Sequence, residues 1–347
     1  MSATQKLLVS IIVLAHNDKK YLEGCLSSLL DQDLPQQQYE IIYADNASTD
    51  GSIEFVRERF PEVRIVALER NFGFAEGNNR AADQAIGRYI IFQNADTIAH
   101  RRWLPELMTA VQSNPQVKAA HPAGAPLNFG GYNERHQPVE RGVMCELTRF
   151  GYVDFTEMRL QESDPVPTLF IAGGSLVIDA ELGPDLKYYF DPSYFIYNED
   201  TDLGLRINNL GHTILFVPTA VAYHQRDPSR RVKLSQRSVR MAFLVTRNRF
   251  VTFYKNMFWG EFLLTLPLIF LGSIIKLRTM PLSFFKGLLY VLGLMPLTLY
   301  ALGLALLRFP QYRQERQYIL GRRVHGRYWL FKALWRRAVP PPTSLKG

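Results

Sequence analysis

The feature that most constrains the fold of this chain is an alternation of short apolar runs with helical patterns over its first hundred residues. The apolar runs are rich in Val, Ile and Tyr, and they occupy residues 7–15, 39–44, 64–68 and 89–92. Runs of this length and composition predict buried strands. Helical spacing between them, as at residues 21–30 and 77–85, predicts a doubly wound α/β sheet.

Polar clusters follow three of these strands, where a sheet of this kind binds its ligands. They are the triplet from His16, the segment DNASTD from Asp45, and Asn94-Ala95-Asp96. Asp45 either accepts a hydrogen bond from a nucleobase or ribose, or caps the following helix together with Ser48. Asp96 is suited to a divalent cation, because Mg²⁺ is commonly held by one or two carboxylates plus substrate phosphates.

A third acidic group, Glu199-Asp200-Thr201-Asp202, opens a predicted helix. Negative charge at a helix N-terminus is stabilising by itself, so a structural role is one interpretation. The other interpretation is a general base that removes a proton from an attacking hydroxyl. His224 follows the next strand, and we expect that strand to return His224 to the same sheet edge as Asp96.

The formal charge of +8 conceals a division of the chain into two parts. Residues 1–225 carry 18 Lys and Arg against 29 Asp and Glu, a charge of −11, whereas residues 226–347 carry 22 against 3, a charge of +19. Such asymmetry indicates that the basic part meets an anionic surface. Since no nucleic-acid-binding module is evident and aromatic residues accompany the basic ones, we expect an anionic membrane and no nucleic acid.

The apolar runs of the basic part set the predicted organisation. Residues 287–307 have no charge over 21 positions, which is long enough for a membrane-crossing helix; a buried hairpin of a soluble domain is the alternative. Two cysteines exclude a disulfide framework. We predict, in order, a catalytic domain, an amphipathic basic linker helix, apolar membrane-associated helices and a basic cytoplasmic tail, at 1–225, 226–260, 261–307 and 308–347. Residues 121–168 are expected to form a long loop.

Seven motifs occur in order along residues 7–225 and together carry a family resemblance. They are VSIIVLAHND, EIIYADNASTDGS, RNFGFAEGNN, YIIFQNADT, IAGGSLVI, YFIYNEDTDLGLRINNLGH and VPTAVAYH. As a set, they resemble the inverting GT-A glycosyltransferases of family 2, above all the rhamnosyltransferase branch and its galactofuranosyltransferase relatives. The resemblance implies a GT-A nucleotide-sugar-binding domain followed by a helical membrane-associated region.

The resemblance also implies roles for individual residues. Asp200 would be the catalytic base, and Asp96 and His224 would hold Mg²⁺ or Mn²⁺, with Asn94 in place of the first carboxylate of the family's DxD motif. Gly173, Gly174 and Glu199 would lie on the acceptor side. The donor would be bound by Ala15, Asn17, Asp45, Asn71, Gly73, Asn78 and Asn94.

The activity implied by the resemblance is sugar transfer with inversion, from dTDP-rhamnose or another dTDP- or UDP-sugar. The acceptor would be a polyprenyl-diphosphate-linked saccharide at the cytoplasmic face of the inner membrane, in cell-surface polysaccharide synthesis. The alternatives are a galactofuranosyl- or N-acetylglucosaminyltransferase, a processive synthase and a non-catalytic membrane scaffold. A processive synthase is disfavoured by the lack of a Q-x-x-R-W motif, and a scaffold by the presence of Asp96 and Asp200.

Overall fold

The computed structural model describes residues 7–126, 141–160, 164–224, 236–278 and 284–336. Its strands are β1 Val9–Ala15, β2 Tyr39–Asp45, β3 Arg64–Ala67, β4 Tyr89–Asn94, β5 Thr97–Ala99, β6 Val117–Pro126, β7 Arg141–Leu147, β8 Val153–Arg159, β9 Val166–Thr168, β10 Ser175–Asp179 and β11 Thr213–His224. Its helices are α1 Lys19–Leu30, α2 Ser52–Arg59, α3 Gly73–Ala82, α4 Trp103–Gln112, α5 Gly183–Leu186, α6 Glu199–Asn209, α7 Gln236–Asn256, α8 Trp259–Arg278, α9 Phe284–Arg322 and α10 Trp329–Arg336.

The strands form one mixed sheet in the order β3-β2-β1-β4-β10-β6-β11-β5. The first four of these are parallel, as the alternation predicted, whereas β10 runs antiparallel to both β4 and β6. The register pairs Ala15 with Asp45 and Leu14 with Asn94. The ends of β1, β2 and β4, with their polar clusters, therefore lie side by side at one edge.

Both faces of the central strands are covered, which explains their nearly continuous apolar character. Along β1, Ile11 and Val13 belong to a core with α1, α2 and α4, whereas Ile12 belongs to a second core with α3 and α6. Successive side chains of a strand point to opposite faces. The two cores thus pack against the strands from both sides.

A third core joins the basic part of the chain to the sheet domain. It combines Leu169 and Phe170 with Phe250 and Phe253 of α7 and with side chains of α8, α9 and α10. The expectation of a linker helix lying on a surface is wrong for residues 247–256, because all ten side chains are buried. The boundary expected at residue 225 lies outside the described residues.

The expectation of a loop over residues 121–168 is wrong in its described part. Strand β6 extends to Pro126, and β7 and β8 form an antiparallel pair. The middle of β8 is exposed from Asp154 to Glu157. The residues of β8 therefore lack the apolar alternation from which a half-buried strand is predicted. Pairing with β7, rather than burial, maintains this strand.

The uncharged run 287–307 lies inside α9, a helix of 39 residues that extends from Phe284 to Arg322. In the part of the chain that the structure describes, no helix combines the length and the hydrophobicity that crossing a membrane requires.

Candidate active site

Two loops meet at the ends of β1 and β2 through Asn17. The backbone N–H of Thr49 donates to Asn17 Oδ1 at 2.8 Å, and the backbone N–H of Asn17 donates to Ser48 Oγ at 3.0 Å. Asn17 has φ +56°, a left-handed conformation that asparagine adopts more readily than most residues. These contacts join the two loops on the expected donor side.

Asp45, the last residue of β2, closes a turn in the loop that follows this strand. Its Oδ2 accepts from the backbone N–H of Ser48 at 2.8 Å, and its Oδ1 accepts from the Tyr43 hydroxyl at 2.8 Å. Helix α2 begins later, at Ser52, with no side-chain cap, so the capping interpretation of Asp45 is wrong. A carboxylate can accept about four hydrogen bonds. Asp45 therefore keeps the capacity to accept further hydrogen bonds from the expected nucleotide-sugar donor.

Asn46 organises the neighbouring loop, although it was not among the residues predicted from the sequence. Its side-chain amide donates to Asn71 Oδ1 at 3.2 Å and to the carbonyl of Gly73 at 3.0 Å, while its Oδ1 accepts from the backbone N–H of Phe72 at 2.9 Å. Asn71 Oδ1 also accepts from the Gly73 N–H at 2.8 Å. The DNAS motif could have pointed to Asn46, because this asparagine directly follows Asp45.

Gly73 allows this loop to touch the segment that precedes the expected base. It has φ +80°, and a Cβ there would lie 2.5 Å from Phe195 Cδ2. The backbone N–H of Phe74 donates to the carbonyl of Phe195 at 2.7 Å. Only glycine suits this conformation at this approach.

Two other expected donor residues have structural roles in the described contacts. Ala15 is buried, and its carbonyl accepts from the backbone N–H of Asn46 at 2.8 Å. Asn78 is buried in α3, and its amide donates to the carbonyl of Phe74 at 3.0 Å. Both residues support the loops on the expected donor side.

Asp96 and His224 come together as expected, although 128 positions separate them. Strand β11 places His224 opposite Thr97 of β5, with His224 Nε2 3.5 Å from Asp96 Oδ1. Asn94 is linked to Gly174, because its backbone N–H donates to the Gly174 carbonyl at 3.0 Å. A Cβ on Gly174 would lie 3.7 Å from Asn94 Nδ2 and 4.0 Å from His224 Cδ2.

The Asp96–His224 pair fits a divalent cation that also has substrate ligands. A carboxylate oxygen and an imidazole nitrogen at this separation can share one ion, and the pair leaves the remaining ligand positions to phosphate oxygens. His224 Nδ1 is buried and has no hydrogen-bond partner among the described residues. No cluster of three His, Cys, Asp or Glu suited to a metal occurs within those residues.

Asp200 lies at the first turn of α6, against the Gly173-Gly174 pair. Its Oδ2 accepts from the backbone N–H of Gly173 at 3.3 Å, and its Oδ1 accepts from that of Thr201 at 2.6 Å. A Cβ on Gly173 would lie 3.1 Å from the Asp200 Cβ. Burial raises the pKa of Asp200, although both backbone N–H groups oppose that rise. A raised pKa makes a carboxylate a better proton acceptor.

Glu199 is more deeply buried than its neighbour, and its Oε2 has no hydrogen-bond partner among the described residues. Burial first, and the charge of Asp200 second, raise the pKa of Glu199 well above its ordinary value. Adjacent acids with raised pKa values are characteristic of functional sites.

The comparison of sequences identifies the domain that contains most of these loops. Residues 10–175 match the family model described as Glycosyl transferase family 2. This stretch of the chain is therefore similar to glycosyltransferase family 2 domains. Asp200 and His224 lie beyond the matched residues, on α6 and β11 of the same sheet domain.

Curated relatives share between a fifth and a third of their residues with the chain over longer stretches. Uncharacterized glycosyltransferase YfnE of Bacillus subtilis is 27% identical over 259 residues, which are 63% of this chain and 65% of the relative. N-acetylglucosaminyl-diphospho-decaprenol L-rhamnosyltransferase of Mycobacterium tuberculosis is 24% identical over 266 residues, 70% of this chain and 85% of the relative.

Solved structures show the same fold at lower identity. Staphylococcus aureus TarS 1–349 aligns with a TM-score of 0.56 at 17% identity, covering 91% of this chain and 89% of that one. GalNAc-T7 with UDP, GalNAc and Mn²⁺ aligns with a TM-score of 0.58 at 18% identity, covering 75% and 49%. These alignments support the GT-A-like mixed α/β architecture.

Proposed function

We propose that the chain is an inverting glycosyltransferase that moves a sugar from a nucleotide donor to a lipid-linked saccharide. The observation that carries this proposal is the Gly173-Gly174 pair. The backbone N–H of Gly173 donates a hydrogen bond to Asp200, the candidate base. The carbonyl of Gly174 accepts a hydrogen bond from Asn94, and Gly174 also lies next to His224. A proton acceptor and a cation-binding pair thus lie on either side of one dipeptide.

The proposed reaction is a single displacement at the anomeric carbon. Asp200 accepts the proton of an acceptor hydroxyl. The oxygen of that hydroxyl forms a bond to the anomeric carbon, and the bond from this carbon to the nucleoside diphosphate breaks on the opposite face. The anomeric configuration inverts. The Gly173 N–H holds the carboxylate of Asp200 in place, and the loop through Asn46, Asn71 and Gly73 shapes the donor side.

Asp96 and His224 are the residues that would hold Mg²⁺ or Mn²⁺. Such a cation supplies charge neutralisation for the leaving diphosphate. GalNAc-T7 and the mannosyltransferase PcManGT of Pyrobaculum calidifontis were both solved with Mn²⁺, which supports the use of a divalent ion by this chain.

For the donor we propose dTDP-rhamnose, with UDP-sugars second. Support comes from the mycobacterial relative, whose name specifies L-rhamnosyl transfer to a decaprenol-linked saccharide. The UDP alternative has support from TarS, a poly(ribitol-phosphate) N-acetylglucosaminyltransferase solved with UDP-GlcNAc. A lipid-linked acceptor in polysaccharide synthesis would also give the basic helices a purpose, at the cytoplasmic face of the plasma membrane.

The described helices offer a surface that suits this location. The α8–α10 face consists of exposed apolar and cationic side chains: Trp259, Leu263, Leu264, Leu271, Lys332, Trp335 and Arg336. Helix α10 lies along α8, since the backbone N–H of Leu330 donates to Glu261 Oε1 at 3.1 Å. The two carboxylates in the described part of residues 236–336 point inward: Glu261 is buried against Arg323, and Glu315 lies 3.7 Å from buried Lys255. Apolar and cationic groups without acids suit an anionic lipid surface.

The test of the reaction is Asp200→Asn. With dTDP- and UDP-sugars, Mg²⁺ or Mn²⁺ and a polyprenyl-diphosphate-linked GlcNAc, we expect kcat to fall by about 10²- to 10⁴-fold, because a positioned base supplies a factor of that size. Nucleotide binding by calorimetry should change little.

Asp185→Asn is the matched control, because this aspartate is exposed on α5 and should keep full activity. Retention of more than a tenth of kcat by Asp200→Asn would remove Asp200 as the base. Binding of none of the dTDP- and UDP-sugars by the unaltered protein would contradict the donor assignment.

A further inference from the structure

The segment that leads into α6 has a strained backbone. Within residues 194–198, hereafter the 194–198 loop, Phe195, Tyr197 and Asn198 have φ values of +62°, +73° and +68°. Aromatic residues rarely adopt this conformation, and it persists only where surrounding contacts enforce it. Some part of the structure must therefore hold the loop.

The 194–198 loop connects the two halves of the active site. On the donor side, the Phe195 carbonyl accepts from the backbone N–H groups of Phe74 at 2.7 Å and Ala75 at 3.3 Å. On the acceptor side, Asn198 directly precedes α6, and its carbonyl accepts from the backbone N–H of Asp202 at 2.9 Å. A shift of this loop would change the position of Asp200 relative to the donor loop.

Asn248 of α7 holds the loop from behind. Its side-chain amide donates to the carbonyls of Tyr194 at 3.3 Å, Ile196 at 3.0 Å and Tyr197 at 2.7 Å. The Asn248 side chain is completely buried, so water cannot replace these bonds. The two N–H groups of one amide are thus shared among three carbonyls of a strained segment.

Arg247 fixes the orientation of that amide. Asn248 Oδ1 accepts from Arg247 Nε at 2.8 Å and Nη2 at 2.5 Å, and the same Nη2 donates to the Ser193 carbonyl at 3.2 Å. With its oxygen engaged by the guanidinium, the Asn248 amide nitrogen must face the loop. Both residues lie outside the residues matched by the family model.

We propose that Asn248 is a positioning residue for sugar transfer: it holds the 194–198 loop so that Asp200 and the donor loop keep their relative placement. This inference rests on the proposed function for its catalytic consequence. It differs from a packing role, because a packing residue would contribute to stability without specifically affecting the loop or kcat.

The experiment compares Asn248→Ala with Asn209→Ala. Asn209 is also buried, and its amide donates to the Asn256 carbonyl of α7 at 3.1 Å, at the end of α6 remote from Asp200. For Asn248→Ala we expect kcat to fall by about 10²-fold, the effect of misplacing reacting groups by about 1 Å, with donor affinity within threefold. Asn209→Ala should keep kcat within threefold, measured where both variants are folded.

Hydrogen exchange provides a readout that does not depend on activity. In Asn248→Ala, the amides of Phe74 and Ala75 should exchange at least tenfold faster, because their acceptor on Phe195 is no longer held; in Asn209→Ala they should not. Unchanged exchange, or equal losses of kcat in both variants, would overturn the proposal. Faster exchange in a protein with no transferase activity would refute the proposed function and leave the loop assignment standing.

If Asn248→Ala does not fold, Arg247→Met tests the same proposal. It leaves the Asn248 amide in place but removes the group that orients it, so we expect a smaller loss of kcat and faster exchange at the same two amides. An Arg247→Met protein with exchange and kcat like the unaltered chain would overturn the proposal.

Discussion

Glu199 and Asp200 show how two adjacent carboxyl groups acquire different surroundings. Asp200 remains partly accessible and accepts two backbone N–H groups, whereas Glu199 is buried and one of its oxygens has no partner among the described residues. The first arrangement suits a base that meets substrate. The second makes the charged form of Glu199 unfavourable in the folded protein.

Glu199→Gln should therefore stabilise the protein in a pH-dependent manner. Because the folded-state pKa is raised, the stability contributed by Glu199 is fully present below its unfolded pKa of about 4.3 and is lost as the pH rises toward the folded value. The neutral amide avoids that loss. Melting temperatures should coincide near pH 4, and the variant should melt higher at pH 8. A difference that does not depend on pH, or a variant that melts lower at pH 8, would contradict this.

Individual residues of the site were predictable where chemistry and order along the chain sufficed. The sequence predicted that Asp96 and His224 meet, because each follows a strand, and the structure places them in contact. Asn46 and Asn248 were missed, since buried asparagines that bind backbone carbonyls have no distinctive spacing. Their partners become apparent only when the loops are folded. The catalytic roles themselves stay predictions.

At the scale of elements, α6 is tied to α7 by buried charges. Lys255 Nζ lies 2.5 Å from Asp191 Oδ2 and 3.2 Å from Asp202 Oδ2, and Arg206 Nε lies 2.8 Å from the same Asp202 oxygen. Burial disfavours the charge on Lys255, but the neighbouring carboxylates outweigh it and raise its pKa well above the ordinary value. Helix α7 is thus a structural part of the sheet domain.

Lys255→Met should cost about 3–5 kcal/mol in the free energy of unfolding, because it leaves Asp191 and Asp202 short of a cation in a buried site. Urea denaturation measures this. The control is Arg59→Met, which removes an exposed pair with Glu23 at 3.4 Å and should cost less than about 1 kcal/mol. Equal costs for the two substitutions would show that the buried charges do not join α6 to α7.

Elements with strong periodicity were predictable, and others were not. Strands β1, β2 and β4 were expected within two residues of their ends, because both faces are apolar. A strand was expected ahead of His224, and β11 runs from Thr213 to His224 itself, past a register shift after Val217. Pro218 and Thr219 interrupt the apolar pattern there, and only pairing with β6 and β5 shows that the strand resumes.

For the whole molecule, the α8–α10 face predicts selective binding to anionic membranes. The exposed fraction is 55% for Trp259 and 59% for Leu263. The protein should co-sediment with phosphatidylcholine vesicles containing phosphatidylglycerol, and much less with phosphatidylcholine alone. Leu263→Glu should weaken binding at least about tenfold, since it removes an inserted apolar group and repels anionic lipid.

Ile86→Glu is the matched control, because Ile86 is equally exposed, at 56%, on the sheet domain. Its binding should stay within twofold of the unaltered protein. Equal binding to both vesicle types, or unchanged binding of Leu263→Glu, would contradict the membrane assignment.

The strand order has a consequence for synthesis on the ribosome. Strand β5 pairs with β11 alone among the described strands, and Ala99 is opposite Ala222, 123 residues later. While β11 is still inside the ribosome, the sheet of the nascent chain is therefore incomplete, and Asp96 does not yet have the imidazole of His224 beside it. Closing so distant a contact is slow compared with forming local ones. Asp96 and His224 can thus meet only late, after β11 has left the exit tunnel.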